Sequence, residues 1–266
     1  MVIPKNRKTD KWRLKEKRGL GRGINYIPWL KTHEVPSNGR KHRVLGVKHK
    51  RTYHFLSDLE YYFYLLQLYD ERVVEIREQF PLLSLQTTRL IAKELNIRHP
   101  SMYGEDRVMT TDFLLTVKKD RIYKDIVRTI KPSNKINNRT LEKFKLEEEF
   151  FKRKYEDDNF DWGVITENEI NKTKALNISN LIDCYNWNIC NEVKDDRLKS
   201  RIYFFKNTLL KYKYDVEAAI INFSEYYKYS KNDSKNFFKF LVIRKEIEVN
   251  LEEKLIKDFR YIKINI

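Results

Sequence analysis

The chain has 266 residues, with 54 Lys+Arg against 38 Asp+Glu for a net charge of +16, and 41% hydrophobic and 14% aromatic residues. That is ample apolar material for one large or two modest packed domains, and it excludes wholesale disorder. No run approaches the roughly 18 apolar residues of a membrane span, and the basic N-terminus lacks the apolar core of a secretory signal, so a cytoplasmic protein with no membrane association is expected. Two cysteines (Cys184 and Cys190) exclude a disulfide framework or a multi-cysteine zinc site, and the five histidines show no HExxH spacing.

The positive charge has two readings: nucleic acid as the partner polyanion, or the Lys, Asn, Ile and Tyr richness that AT-rich coding produces. Its distribution is more specific. Residues 1–22 carry nine cations (Lys5, Arg7, Lys8, Lys11, Arg13, Lys15, Lys17, Arg18 and Arg22) against Asp10 and Glu16. This reads as a basic arm that follows a phosphate backbone, with a solvated tail as the plainer alternative. Gly19, Gly21 and Gly23 follow; no apolar strand precedes them and Pro28 interrupts the helix a nucleotide-binding turn would need, so a flexible hinge is expected.

Ser57 precedes a helical pattern over 57–70, with Leu59, Phe63, Leu66 and Tyr69 or Asp70 near one face. Residues 112–118 and 122–130 are β-rich runs around Lys119, Asp120 and Arg121, which predicts a hairpin whose second strand stops at Lys131-Pro132. A charged amphipathic helix is expected over 139–154 and a short buried strand over 162–166. An α/β domain spanning 23–168 follows. All six prolines lie before residue 133, so 169–266 should be mostly helical. There Asp215 caps a helix through Val216, Ala219, Ile220 and Phe223, residues 234–247 supply another, and the terminal RYIKINI alternates like a closing strand. A winged-helix-like module and a plain helical bundle both satisfy that pattern.

Hydrolysis of a phosphodiester with a hard metal needs oxygen ligands and a cation beside the attacking water. Alternation places Asp125, Val127, Thr129 and Lys131 on one face of the second strand, and the hairpin returns Asp112 to its end, so Asp112 and Lys131 can meet. Asp112 followed by Thr129-Ile130-Lys131, with Glu60 from the upstream helix, has the outline of a PD-(D/E)xK nuclease core. Spacing alone does not separate this from chance. Ser57-Asp58-Leu59-Glu60 is equally a capping box, in which Glu60 only satisfies the Ser57 N–H; Asp112 can simply start a strand, and Lys131 can be an ordinary solvated strand end.

A series of ordered blocks changes the weighing: GRGINYIPWL (21–30), EVPSNGRKHR (34–43), LSDLE (56–60), IREQFPLL (76–83), MTTDFL (109–114), IKP (130–132), RTLEK (139–143) and ITENEI (165–170). In these blocks the sequence resembles the TnsA family, the endonuclease subunits of heteromeric cut-and-paste transposases. The resemblance covers most of 20–170 and implies a restriction-endonuclease-like domain followed by a winged-helix-type domain that contacts partners. It implies catalysis by Glu60, Asp112 and Lys131, with Mg²⁺ (or Mn²⁺) as cofactor. It further implies double-stranded transposon-end DNA as substrate, cleaved on the 5′ strand, and a TnsB-like DDE transposase and a TnsC-like ATP-dependent regulator as partners. The metal set so implied is Glu60, Asp112, the hydroxyl of Thr129 and the carbonyl of Ile130. Thr129 stands where the family typically has glutamine, and a hydroxyl is the shorter and weaker ligand. Glu147 aligns with an acidic position near the site, but its Glu147-Glu148-Glu149 setting reads as a solvated face. The rival functions are a non-catalytic DNA-binding or assembly subunit and, with no support in the N-terminal blocks, a winged-helix transcription regulator.

Overall fold

A computed structural model describes residues 9–36, 39–102, 104–157, 160–191, 193–256 and 264–265. It divides into two units, Met1–Ile170 and Asn171–Ile266. The first opens with α1 (Asp10–Lys15) and a 3-10 turn at Gly23–Asn25. A small antiparallel ladder follows, β1 (His42–Leu45) with β2 (Thr52–Phe55), and then α2 (Asp58–Tyr69), β3 (Val73–Pro81) and α3 (Leu85–Glu94). A second two-stranded ladder, β4 (Ser101–Met102) with β5 (Glu105–Asp106), leads to β6 (Thr110–Lys119), β7 (Ile122–Ile130), α4 (Asn138–Tyr155) and β8 (Trp162–Ile165).

The central sheet has the order β3-β6-β7-β8, antiparallel except for the parallel β7–β8 pair. The expected hairpin turns at Asp120-Arg121, where Asp120 adopts the left-handed conformation (φ +56°) that aspartate tolerates, and Lys119 pairs with Ile122. The second strand ends at Ile130, next to Lys131-Pro132. The two sheet faces are covered differently. Leu114, Val127 and Phe80 join Leu146, Phe150 and Phe151 of α4 and Ile91 and Ala92 of α3 in one apolar cluster. On the other face Phe113 packs against Phe55 of β2 and Phe63 of α2. The sheet is therefore a wall between α3/α4 and α2 with its ladder.

The hinge is corrected, and the basic arm is corrected at Arg13, Arg18 and Arg22, whereas Lys11, Lys15 and Lys17 are exposed; Lys5, Arg7 and Lys8 lie outside the described residues. Thr9 caps α1, Arg13 pairs with Asp10 at 3.1 Å, and buried Arg18 makes a bidentate pair with Glu34 (Nη2 to Oε1 2.7 Å) while Nη1 donates to the Trp29 carbonyl. Arg22 donates to Glu75 at 2.8 Å, and the Gly23 N–H donates to the same carboxylate. These cations are folded into the unit because buried carboxylates need them. The glycine run is a packed turn: Gly19 has φ +76°, and a Cβ there would stand 2.1 Å from Pro81 Cγ. Gly19→Ala combines left-handed strain with overpacking and should destabilise the unit by about 2–4 kcal/mol. Chemical denaturation measures this, and a loss below about 0.5 kcal/mol, within the surface-substitution range, would restore the flexible hinge.

The second unit carries α5 (Lys172–Leu181), α6 (Trp187–Cys190), α7 (Asp195–Lys211), α8 (Val216–Tyr227) and α9 (Lys231–Ile243), then β9 (Glu248–Val249) paired antiparallel with β10 (Ile264–Asn265). Asp215 caps α8 as expected, accepting from the Ala218 N–H at 3.0 Å. Its core is aromatic, with Phe223 stacked on Phe237 at 4.5 Å and Phe205 against both. Ile262 and Ile266 of the expected closing strand lie outside the described residues, whereas Ile264 pairs with Val249. No helix among the described residues is long and apolar enough to cross a membrane.

Candidate active site

Glu60 enters the site because of where α2 is buried. The helix buries Glu60, Tyr64 and Leu68, spaced i, i+4, i+8, together with Tyr62, Phe63 and Leu65, rather than the Leu59/Leu66 face that periodicity suggested. The acid is therefore carried inward with the aromatic stripe. Its capping role is real but altered: Ser57 Oγ accepts from the Glu60 N–H at 3.2 Å and donates to Oε1 at 2.9 Å, while Oε2 accepts from the Leu56 N–H at 2.9 Å.

Asp112 reaches the same place through an irregularity in two strands. Strict alternation would turn Glu78 and Phe80 of β3 to one face and Gln79 to the other. Instead Gln79 has φ +49°; Glu78 meets Arg51 at 2.6 Å and Gln79 meets Glu60 on the α2 side, whereas Phe80 enters the α4 core. Opposite it in β6, Phe113 faces α2, Asp112 accepts from Gln79, and Thr111 turns toward α4. Asp112 Oδ2 accepts from the Ile130 N–H at 2.7 Å, and the Lys131 charge favours the ionised carboxylate. Asp112 thus lies within electrostatic reach of both Glu60 and Lys131.

Thr129 is engaged by side chains from α4 and β6. Its hydroxyl donates in a short hydrogen bond to Glu147 Oε1 and lies 3.3 Å from Thr111 Oγ1, on the α4 side. The hydroxyl expected to serve the metal is thus engaged by Glu147 and Thr111, and Glu147 in turn feels the charge of Asp112. Glu147 is corrected. It is 3% exposed and also accepts from Trp162 Nε1 at 3.0 Å, while Glu148 and Glu149 form the solvated pairs with Lys152 and Arg153. A run of three glutamates on a helix cannot all face solvent when α4 packs a full stripe through Phe144, Glu147 and Phe151.

Burial, then the charge of Asp112, pushes the Glu60 carboxyl up to about 8. Burial pushes Asp112 up to about 6, against the Ile130 N–H, Lys131 and Gln79. Burial, with the charge of Asp112 adding to it, likewise raises Glu147 to about 7 against its hydrogen bonds from Thr129, Trp162 and Thr111. All three bind protons more tightly folded than unfolded, so their stabilising contribution is full below about pH 4, the unfolded carboxylate range, and is lost as pH rises toward 8. His54, lowered to about 4 by burial and neighbouring cations, acts oppositely only below about 6.5, its unfolded value. Between pH 6.5 and 8.5 the thermal midpoint of the metal-free protein should therefore fall, by roughly 2–4 °C per kcal/mol lost, and Glu60→Gln should flatten the profile. A slope that Glu60→Gln leaves intact would show that Glu60 is not its source.

On the rim, Lys143 is lowered by burial and then by the charges of Arg139 and Lys131, so three cations from β7's end and the first turns of α4 share one neighbourhood. The loop between them is tied down by Glu167, which accepts from the Ser133 N–H at 2.8 Å.

Comparison with known proteins gives two similarities. The family described as TnsA-like endonuclease N terminal matches residues 70–167. Over 167 residues the chain is 43% identical to the transposon Tn7 transposition protein TnsA of Escherichia coli. Over these residues the chain is similar to TnsA proteins. The match covers 62% of the chain and 59% of the relative, so the chain spans about three fifths of that TnsA protein's length. Asp112, Thr129, Lys131 and Glu147 fall inside the TnsA-like span and Glu60 precedes it. Two residues of the centre escaped sequence reading. Gln79 stood in the IREQFPLL block, but nothing in its spacing signals a left-handed backbone. Glu147 was visible only as an aligned acid.

Proposed function

We propose that this chain is the endonuclease subunit of a heteromeric transposase, hydrolysing the 5′ strand of double-stranded DNA at transposon ends. Its partners in this reading are a TnsB-like DDE transposase that cuts and joins the 3′ ends and a TnsC-like ATP-dependent regulator. The first unit is read as a restriction-endonuclease-like domain and the second as a winged-helix-like module that contacts partners.

The observation that carries the reading is the buried pair Glu60–Asp112 under the charge of Lys131. Two like charges buried together are unfavourable unless something offsets them, and a divalent cation does so. No cluster of three or more His, Cys, Asp or Glu suited to a metal occurs among the described residues, which disfavours a soft or all-protein metal cage. Two carboxylates fit Mg²⁺ or Mn²⁺, which bind through one or two acids and complete their shell with water and substrate phosphate. Glu60 and Asp112 would hold the ion. The Ile130 carbonyl points to the same strand edge as its N–H, which already engages Asp112, and is the third donor in this reading. The ion, when bound, supplies positive charge to the attacked phosphate. Lys131 orients the attacking water, and Arg139 and Lys143 receive flanking DNA phosphates, as charge-assisted contacts do. A centre with so few protein ligands needs DNA to be complete, so the isolated chain should cut little.

The test is a strand-resolved cleavage assay on a labelled transposon end with both partners and Mg²⁺. Release of the 5′ strand only when this chain is present supports the reading; unchanged 5′ release in its absence ends it.

A further inference from the structure

Gln79 touches both acids: Nε2 lies 3.2 Å from Glu60 Oε2 and 3.4 Å from Asp112 Oδ1. It is 1% exposed and sits in a left-handed conformation within a strand, where glutamine gains nothing from the backbone. That conformation is held from outside. The Trp29 N–H donates to the Gln79 carbonyl at 3.1 Å, the Tyr26 hydroxyl donates to the Glu78 carbonyl at 2.9 Å, and Glu78 and Phe80 keep their pairing with Phe113 and Thr111. Strain kept in place by surrounding structure is characteristic of functional sites.

The lone pairs explain the arrangement. Glu60 spends Oε1 on Ser57 and Oε2 on Leu56 and Gln79; Asp112 spends Oδ2 on Ile130 and Oδ1 on Gln79. The two amide hydrogens thus reach one acid each, fixing both carboxylate planes and leaving further lone pairs on Glu60 Oε1 and on both Asp112 oxygens.

We infer that Gln79 is a positioning residue that holds Glu60 and Asp112 as a preformed pair for a divalent cation. This rests on reading the pair as the cation site. Asparagine tolerates the left-handed backbone but is one methylene too short to bridge the acids, and glycine removes the side chain while favouring the backbone conformation.

The full chain is titrated with Mn²⁺, reading bound ion by the loss of its free electron paramagnetic resonance signal, for wild type, Gln79→Asn, Gln79→Gly and Asp112→Asn. Thermal unfolding confirms that each variant is folded. Both Gln79 variants should raise the half-saturating Mn²⁺ concentration about tenfold or more, the usual effect of removing a partner of a metal ligand. Gln79→Gly should do so without lowering the thermal midpoint, a separation that a merely structural role would not produce. If Asp112→Asn loses Mn²⁺ while both Gln79 variants bind like wild type, the positioning role is overturned and the cation site stands. If Asp112→Asn binds like wild type, or the wild type binds no Mn²⁺, the cation site itself is overturned and the inference with it.

Discussion

Asp112→Ala should abolish release of the 5′ strand in the reconstituted reaction, by about a thousandfold or more, while leaving cleavage of the 3′ strand intact. The size follows from what the side chain does. Loss of a carboxylate that holds a catalytic ion forfeits several kcal/mol of charge stabilisation, and each 1.4 kcal/mol is a factor of ten in rate. The variant should nonetheless fold. Asp112 is buried beside another acid, and burial raises its carboxyl to about 6, so its charge is a liability to the metal-free protein at neutral pH. Losing the hydrogen bonds to Ile130 and Gln79 acts in the other direction. Near-native unfolding with 5′ cleavage gone is the expected combination. Undiminished 5′ cleavage would remove Asp112 from the chemistry.

Lys131→Ala should reduce 5′ cleavage by about 10²–10³-fold, the usual effect of deleting one preorganised electrostatic group. The discriminating feature is metal affinity. Lys131 acts on Asp112 as a charge that favours ionisation, and it would compete with a divalent ion for the same carboxylates. Its removal should therefore leave Mn²⁺ binding at least as tight as wild type while the rate collapses. Parallel loss of both would recast Lys131 as a residue that supports the ion's site instead of the attacking water. Since the Lys131 N–H pairs with the Ile165 carbonyl at 2.9 Å, the backbone path into Pro132 should survive the substitution.

The two variants separate functions that the sequence could only place side by side. The Asp-to-Lys spacing is common, and it says nothing about whether either side chain leaves the hairpin on the face where Glu60 waits. For Asp112, burial of Glu60 on the Tyr64/Leu68 stripe and the bridge through Gln79 answer that question. Thr129 shows the opposite outcome. It sits two residues from Lys131, yet its hydroxyl goes to Glu147 and Thr111. This chain builds a hydroxyl–carboxylate contact there.

Local chemistry was enough for the α2 start at Ser57, the β6–β7 hairpin, the stop before Pro132, the α8 cap at Asp215 and the resemblance carried by the ordered blocks. Each depends on residues a few positions apart, and short-range capping, alternation and proline sterics act in any surroundings. The strand β3, the helices α3, α5 and α7, and the packing of Arg18 went unread; in β3 and at Arg18 the reason is that charged residues are buried against partners distant in sequence, Glu78 against Arg51 and Arg18 against Glu34. The centre itself belongs to that second class. The bridge between Glu60 and Asp112 depends on one left-handed residue, Gln79, whose backbone is held by Trp29 fifty positions earlier. The sequence by itself determined which acids and which lysine were available; only the tertiary structure decided which of them meet, because the direction of a strand side chain beyond an irregularity is set by contacts that no local pattern records.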